Sequence, residues 1–313
     1  IFMKLVVTHT SPDWDAIVSV WVIKKFLPGW KEADVAFVPA GNRLVSYSKW
    51  KVVSEKPEGA RIGDPMEKIG DDEVLQVDTG LGPLDHHQVF DTSVSGAGLS
   101  WEYVQNQLGK NAETFTPEHQ EAVTRVISFI IATDHFKEVF WDNAAADYHE
   151  FSLLGLMEGI KLMKPNADSY YLKFGIECLD AMLHNFENRI WAEKEIKESG
   201  KSFETRWGKA IGFETINDSV LKLAQKMGYV LVVRKDPRKG YVRIKVRPQD
   251  ENDPKSEDIN LTLVHEKLKK IDPDATWYLH VSKKMLLNGT PKNPDMIPTK
   301  LSLEKIIDVI KSI

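Results

Sequence analysis

The sequence predicts an α/β protein whose first half holds a parallel sheet and whose second half is a smaller α+β domain. Strand and helix patterns alternate in the first half, helical patterns dominate from residue 98 to 198, and short strands recur beyond residue 208. At 313 residues the chain is long enough for two domains. We place the first at residues 3–195, with helices on both faces of its sheet and a helical extension, and the second at residues 205–313.

The first half opens with a strand, a polar loop and a helix. Residues 4–8 form a short β-branched run typical of a buried strand, and from Asp15 apolar residues follow a helical spacing as far as Pro28. Further strands are expected at 36–38 and 74–77, and further helices at 98–108, 117–134, 148–163 and 168–198. Thr116 and Pro117 are typical of the cap and first turn of the second of these helices.

A series of short strand patterns indicates the second domain. They are expected at 210–213, 229–233, 241–246 and 277–281, followed by a helix at 302–312. The turn-rich segment 236–240 predicts that the two middle strands form a hairpin.

Composition narrows the class of protein. The single cysteine, Cys178, excludes an intramolecular disulfide framework and suits a reducing compartment. No apolar run reaches the roughly 18–20 residues needed to span a bilayer, and we expect no signal peptide, so we expect a cytoplasmic protein without a membrane partner. A net charge of −5 leaves no general basic coat for nucleic acid, so any phosphate-binding surface must be local.

Four short segments carry acids and histidines. They are His9 to Asp15 after the first strand, Asp78 after a later strand, the triplet Asp85-His86-His87, and Asp134 at the end of an apolar helical run. Taken singly, Asp13, Asp15 and Asp78 also fit turns or helix caps. Taken together, they suit two divalent ions about 3.5–4 Å apart, which need several anionic oxygens and one bridging carboxylate. Mixed carboxylate and imidazole ligands favour Mn²⁺ or a similar ion, and a thiolate-rich zinc site is excluded.

These residues resemble the four motifs of the DHH phosphoesterase superfamily, which is named for the triplet. His9-x3-Asp13-x-Asp15, Asp78, the triplet and Asp134 occur in the family's order. The first motif is also similar to that of manganese-dependent inorganic pyrophosphatases. Gln88 and the layout of the second half look more like nucleases of the melanocyte-proliferating-gene type. The resemblance is specific over residues 5–135 and loose beyond about 200.

The resemblance implies roles for the individual residues. His9 and Asp13 would hold one metal ion, Asp15, His86 and Asp134 the other, and Asp78 would bridge them. Asp85 would orient the histidine pair, and His87 would support the ligands or meet the substrate phosphate. The nucleophile would be a metal-bridging hydroxide. The ions expected are two divalent cations, Mn²⁺ first, with Mg²⁺ and Co²⁺ as alternatives.

Two basic segments of the second half are candidates for substrate binding. The resemblance points to His280, Lys283 and Lys284 as phosphate contacts, although the family's glycine-rich run is missing there, and a solvated basic surface is the alternative. Arg243, Lys245 and Arg247 alternate along a predicted strand and therefore share one face. That face either tracks a nucleic-acid backbone or is a solvated surface. The segment Gly96 to Ser100 either brings backbone N–H groups to a phosphate or simply begins a helix.

Three functions remain open on the sequence. The first is hydrolysis of phosphodiester bonds in short RNA or DNA, in the manner of an exonuclease. The second is hydrolysis of a small phosphate compound such as pyrophosphate or a nucleotide. The third is a non-catalytic regulator that binds metal or nucleotide on the same fold. The helices at 148–198 pack either internally or against a second subunit, so a homodimer is also an alternative.

Overall fold

The computed structural model describes residues 3–48, 51–109, 115–253 and 256–313. It divides into two compact units, Ile1–Phe186 and Glu187–Ile313, here called unit 1 and unit 2. Both units are mixed α/β structures. The division falls inside one long helix, whereas the sequence placed it at residues 195–205. In the described part of the chain, no helix is both long and apolar enough to cross a membrane.

A four-stranded sheet organises unit 1, in the spatial order β2-β1-β6-β5. Its strands are β1 (Lys4–His9), β2 (Asp34–Val38), β5 (Met66–Ile69) and β6 (Asp72–Gln76). Strand β1 runs parallel to β2 and β6, which confirms a parallel arrangement for three strands. The fourth strand, β5, is antiparallel to β6. Only Gly70 and Asp71 separate these two strands, and so short a connection allows only a hairpin.

A second hairpin, which the sequence analysis did not predict, packs on this sheet. It consists of β3 (Arg43–Ser48) and β4 (Lys51–Glu55). Its Leu44 is buried in one cluster with Leu5 and Val7 of β1, and none of the described residues of this cluster belongs to a helix. The expectation of helices on both faces is therefore not met around this cluster.

The helices of unit 1 follow the predicted order with one difference. They are α1 (Trp14–Phe26), α2 (Gly96–Leu108), α3 (Pro117–Asp134), a 3₁₀ turn (Lys137–Phe140), α4 (Asp147–Glu150), α5 (Leu153–Met163) and α6 (Asp168–Glu198). Thr116 caps α3 as predicted, accepting a hydrogen bond from the backbone N–H of His119. The predicted helix 148–163 is two helices, because the Ser152 hydroxyl caps the start of α5 at Gly155.

Unit 2 is built on a six-stranded sheet with the spatial order β11-β12-β10-β9-β8-β7. The strands are β7 (Lys201–Thr205), β8 (Gly208–Glu214), β9 (Leu231–Lys235), β10 (Val242–Val246), β11 (Trp277–Leu279) and β12 (Met285–Asn288). Strands β9 and β10 form the predicted hairpin. The helices are α7 (Ser219–Lys226), α8 (Thr262–Ile271) and α9 (Leu303–Lys311). Leu231 and Ile244 share a buried cluster with α8 and α9, while Phe213 and Val232 share another with α7.

Candidate metal centre

The carboxyl ends of β1 and β6 position the candidate centre. His9 is the last residue of β1, and Asp78 follows the end of β6 by two residues. These two strands are adjacent and parallel, so their ends lie at the same edge of the sheet. The structure brings together all six side chains that the sequence singled out as metal ligands, which are His9, Asp13, Asp15, Asp78, His86 and Asp134.

Asp78 lies in the middle of the group. Its Oδ2 is 3.4 Å from Nε2 of His9, and its Oδ1 is 3.5 Å from Nε2 of His86. Its backbone is in the left-handed region at φ 51°, and its N–H donates to the carbonyl of Leu84 at 2.9 Å. The two oxygens of one buried carboxylate thus face two different histidines, which is the arrangement that a bridging ligand requires.

His9 and Asp13 stand on one side of Asp78. Nδ1 of His9 lies 2.9 Å from the carbonyl of Thr10, and in the tautomer that donates this bond Nε2 is left with a lone pair for an ion. Nε2 is 3.7 Å from Oδ2 of Asp13. The other oxygen of Asp13 accepts from the backbone N–H of Ala16 and caps α1. Asp13 therefore both begins the helix and faces the centre.

Asp15, His86 and Asp134 stand on the other side. Nε2 of His86 is 3.6 Å from Oδ2 of Asp15 and 3.4 Å from Oδ2 of Asp134. Asp15 is held by the backbone N–H groups of Gly96 and Ala97, at 2.6 and 2.9 Å. These two N–H groups at the start of α2 therefore serve a carboxylate, and the alternative that they bind a phosphate is not supported.

Three buried polar atoms of the group have no hydrogen-bond partner: Oδ1 of Asp78, Nε2 of His86 and Oδ2 of Asp134. Their separations of 3.4 and 3.5 Å are too long for good hydrogen bonds. Ligand atoms that each lie about 2.1 Å from one ion are separated by about 3–3.5 Å. The donor set and its spacing therefore fit a divalent cation.

The electrostatics of the group also favour a cation. Burial, together with Asp15 and Asp13, raises the pKa of Asp78 well above its usual value. The same causes raise the pKa of Asp134 to about 6. Burial lowers the pKa of His86, which favours the neutral ring that ligates metals. Crowded carboxylates repel one another, and a bound divalent ion removes that repulsion.

His87 and Asp85 form a separate pair beside the centre. Oδ1 of the buried Asp85 accepts from Nδ1 and from the backbone N–H of His87, at 2.6 and 3.1 Å. Burial raises the pKa of Asp85, but these hydrogen bonds outweigh it and the net shift is downward. The hydrogen bond to Asp85 raises the pKa of His87 to about 9. His87 is thus a cation at neutral pH, with more than half of its side chain exposed.

A cavity of about 360 Å³ opens beside the acids. Asp13, Asp15 and Asp134 line it, as do the aromatic rings of Trp14 and Phe136. Two further acids in its lining, Glu138 and Glu158, were missed by the sequence analysis. Neither belongs to a motif, so the sequence carried no signal for them.

His135 is a third residue near the centre that the sequence analysis missed. With His86 and Asp134 it forms a group whose ligand atoms lie within 4.8 Å of one another. Its Nε2 is 2.7 Å from the carbonyl of Val94, so this nitrogen carries a hydrogen and donates. We therefore do not assign this nitrogen to ligation, and at 3.8 Å from Oδ2 of Asp134 it is also too distant to hydrogen-bond that carboxylate. The one available signal was its position next to Asp134.

The substrate-binding candidates of unit 2 occupy two places. His280, Lys283 and Lys284 lie in the turn between β11 and β12, where the imidazole of His280 bonds the hydroxyl of Ser282. The amine of Lys284 contacts Asp258 and the carbonyl of Ile259, so it is engaged within the unit. Arg243 lies in β10 and Arg247 directly follows it, and the buried residues Ile244 and Val246 alternate with them.

Comparison with known proteins adds little to this geometry. No protein-family model matches the sequence, and no curated protein matches it. Among solved structures, the crystal structure of an uncharacterized protein from Helicobacter pylori G27 is similar over 100% of this chain and 99% of that chain, at 11% sequence identity. Its TM-score is 0.23, and no argument about fold or function rests on it.

Proposed function

We propose that the chain is a two-metal phosphoesterase of the DHH type that hydrolyses phosphodiester bonds in short nucleic acids. One observation carries this proposal: the two oxygens of buried Asp78 face two separate ligand groups. His9 and Asp13 make up one group, and Asp15, His86 and Asp134 make up the other. A single-ion site needs no such division, whereas a two-ion site needs a bridging carboxylate.

Divalent ions bound here, Mn²⁺ in our proposal, would supply an activated water and neutralise charge on the phosphoryl oxygens. The protein's own residues do the remaining work. The backbone N–H groups of Gly96 and Ala97 fix both oxygens of Asp15, so that this carboxylate cannot rotate. Asp85 fixes the ring of His87, and the protonated His87 is available to a phosphate oxygen or to the departing oxygen.

The lining of the cavity supports an organic substrate. Trp14 and Phe136 stand in the same cavity wall as the acids. A nucleobase can stack on the exposed ring of Phe136, whereas pyrophosphate has no group to place there. We therefore place a short RNA or DNA end ahead of pyrophosphate. Arg243 and Arg247 remain proposed contacts for the backbone of a longer strand.

The test is hydrolysis by the purified chain with added Mn²⁺. A labelled short RNA, a DNA of the same sequence and pyrophosphate are incubated in parallel with the parent and with Asp78→Ala. Asp91→Ala is the matched control, because Asp91 is an exposed acid that bonds Ser93 outside the centre. Stepwise loss of nucleotides that Asp78→Ala abolishes and Asp91→Ala retains supports the proposal.

The remaining outcomes separate the alternatives. Phosphate release from pyrophosphate alone assigns the chain to small phosphate substrates. Metal binding without cleavage of any of the three compounds contradicts the enzyme proposal and favours a regulator.

A further inference from the structure

A second cavity, of about 350 Å³, lies within unit 2. It is framed by the loop between β9 and β10, the start of β10 and the segment after β12. Five cationic side chains line it against two carboxylates, those of Asp218 and Asp236. The cations are Arg234, Arg238, Lys239, Arg243 and Lys292. The lining therefore carries three positive charges in excess, although the whole chain has a net charge of −5.

Two of these cations are placed against each other at a cost in stability. Arg234 of β9 and Arg243 of β10 are direct partners in the antiparallel register. Like charges directly opposite on neighbouring strands are destabilising. The carboxylate of Asp218 offsets the charge of both arginines. Its Oδ1 is 3.0 Å from Nη1 of Arg234, and its Oδ2 is 2.5 Å from Nη1 of Arg243. About half of Asp218 is exposed, so it screens the pair only in part.

The arginine pair is held in place before any ligand arrives. Arg234 is buried, with 8% of its side chain exposed. It donates to the carbonyls of Thr215 and Ile216 at 3.0 and 3.3 Å and lies 3.4 Å from Asp236. Asp236 in turn accepts from the backbone N–H groups of Arg238 and Lys239. Side chains that are already ordered lose less entropy when they bind an anion.

Two further cations face the cavity without a carboxylate partner among the described residues, Lys239 and Lys292, and both are exposed. The cavity also contains a rigid aromatic ring. Tyr241 packs so closely on Gly289 that a Cβ at position 289 would lie 2.2 Å from its Cδ1 atom. The amine of Lys239 lies 5.8 Å from the centre of the ring. A phosphate group and a flat aromatic group thus both find complementary surface in one cavity.

We propose that unit 2 binds a nucleotide with two or more phosphates in this cavity, its phosphates against the cationic wall and its base on Tyr241. A nucleoside diphosphate carries about three negative charges at neutral pH, which matches the excess in the lining. The volume lies near the lower end of the roughly 300–1,000 Å³ of small-molecule sites, which favours a compact ligand. Arg247 directly follows β10, four residues beyond Arg243, and an extended chain of that length spans about 13 Å, too far for both to contact one phosphate.

This site does not depend on the metal centre, and the experiment keeps the two apart. The full chain is titrated with ADP and with pyrophosphate in a calorimeter, in the presence of a chelator. The variants are Lys292→Gln, the double variant Arg243→Gln with Lys292→Gln, and Tyr241→Leu. Lys269→Gln, an exposed lysine of α8 outside the cavity, is the matched control. ADP binding is measured without metal, and Lys292→Gln and Tyr241→Leu change no residue that is proposed to act in hydrolysis, so either proposal can fail while the other stands.

The expected result is ADP binding that the double variant weakens at least about tenfold, a loss of roughly 1.4 kcal/mol. Tyr241→Leu weakens ADP binding about fivefold or more and leaves pyrophosphate binding unchanged, because only the base stacks on this ring. Lys269→Gln binds like the parent. If circular dichroism shows that the double variant is unfolded, the single variant Lys292→Gln must still weaken ADP binding. Its substitution lies on an exposed loop.

Two results overturn the proposal. One is that the parent fails to bind ADP up to about 1 mM, or that the cavity variants bind it as well as the parent does. The other is that pyrophosphate binds as tightly as ADP, which removes the nucleoside from the assignment.

Discussion

The backbone N–H of Gly96 donates to Oδ2 of Asp15 at 2.6 Å, and this hydrogen bond joins the start of α2 to the start of α1. Gly96 has no room for a side chain. A Cβ there would lie 2.8 Å from Cβ and 2.9 Å from Oδ1 of Asp78, and 3.0 Å from Oδ2 of Asp15. The close approach of this glycine therefore sets the spacing between two carboxylates of the candidate centre.

Gly96→Ala is expected to weaken Mn²⁺ binding by about 10–100-fold, the range typical of groups that position metal ligands. The added methyl group must displace Asp78 or Asp15, and neither is the flexible end of a long side chain. Isothermal titration with Mn²⁺ measures the effect. Gly98→Ala, two residues further along α2, is the matched control.

At Gly98 a Cβ meets Ile131 at an ordinary contact distance of 3.4 Å. The alanine also favours the helix by about 0.5–1 kcal/mol. Gly98→Ala should therefore bind Mn²⁺ like the parent and unfold at the same or a higher temperature. Equal Mn²⁺ affinity in Gly96→Ala and Gly98→Ala would show that the close packing at Gly96 does not shape the centre.

Asp78→Asn should raise the stability of the metal-free protein and lower its affinity for metal. Without metal, the variant is expected to be more stable than the parent, because it removes a buried charge that Asp15 and Asp13 repel. With Mn²⁺ the order should reverse, since asparagine has a single, uncharged oxygen and cannot present one oxygen to each of the two ligand groups. We expect an affinity loss of about 100-fold or more, above that of residues that only orient ligands. Thermal unfolding with chelator and with Mn²⁺ measures both effects, and a destabilised metal-free variant would contradict the proposed repulsion.

Asp85→Asn should lower the hydrolysis rate by about 10–100-fold while leaving all six metal ligands in place. The carboxylate holds the ring of His87 at 2.6 Å and accepts from the N–H of Leu81 at 2.7 Å. An amide can still accept one of these bonds but leaves His87 uncharged and less fixed. The rate and the Mn²⁺ affinity are measured on the same samples, with Asp91→Asn as control. A rate equal to that of the parent would remove His87 from the proposed chemistry.

The motif residues of unit 1 could be located from the sequence because local signals placed each of them. His9 follows an apolar β-branched run, and Asp134 ends a helix whose cap at Thr116 is readable. Each of these segments ends at a strand or helix terminus, where polar residues converge in α/β sheets. The position of Asp13 in the sequence fits a turn or cap residue and a ligand equally, and in the structure it both caps α1 and faces His9.

The features that could not be predicted from the sequence depend on contacts between residues that are far apart in the chain. The hairpin at Leu44 is recognisable only by the sheet face that it covers. The pairing of Arg234 with Arg243 depends on the register of β9 and β10, which the spacing of residues along either strand does not give. Lys284 was a candidate phosphate contact, yet its amine bonds a residue 26 positions earlier in the chain. Such partners cannot be found from spacing along one element.

Asp236 provides a last prediction, on the pH dependence of unit 2. Burial raises the pKa of this carboxyl group, but hydrogen bonds from the backbone of Arg238 and Lys239 and the charge of Arg238 outweigh it, so the net shift is downward. A carboxyl group with a lowered pKa in the folded state stabilises the fold above its unfolded pKa of about 3.9. That stability is lost as the pH falls through the lower pKa that the group has in the folded state. Asp236→Asn should therefore reduce the free energy of unfolding by about 1–3 kcal/mol at pH 7.

The difference in free energy of unfolding between the parent and Asp236→Asn should become smaller below about pH 4, where the carboxylate of the parent takes up its proton. Calorimetric melting from pH 3 to pH 7 measures this, with the exposed Asp274→Asn as control. Asp274→Asn should follow the parent at every pH. If the difference in free energy of unfolding stays constant from pH 3 to pH 7, Asp236 acts through packing alone. The order of the cationic side chains around it would then not depend on its charge.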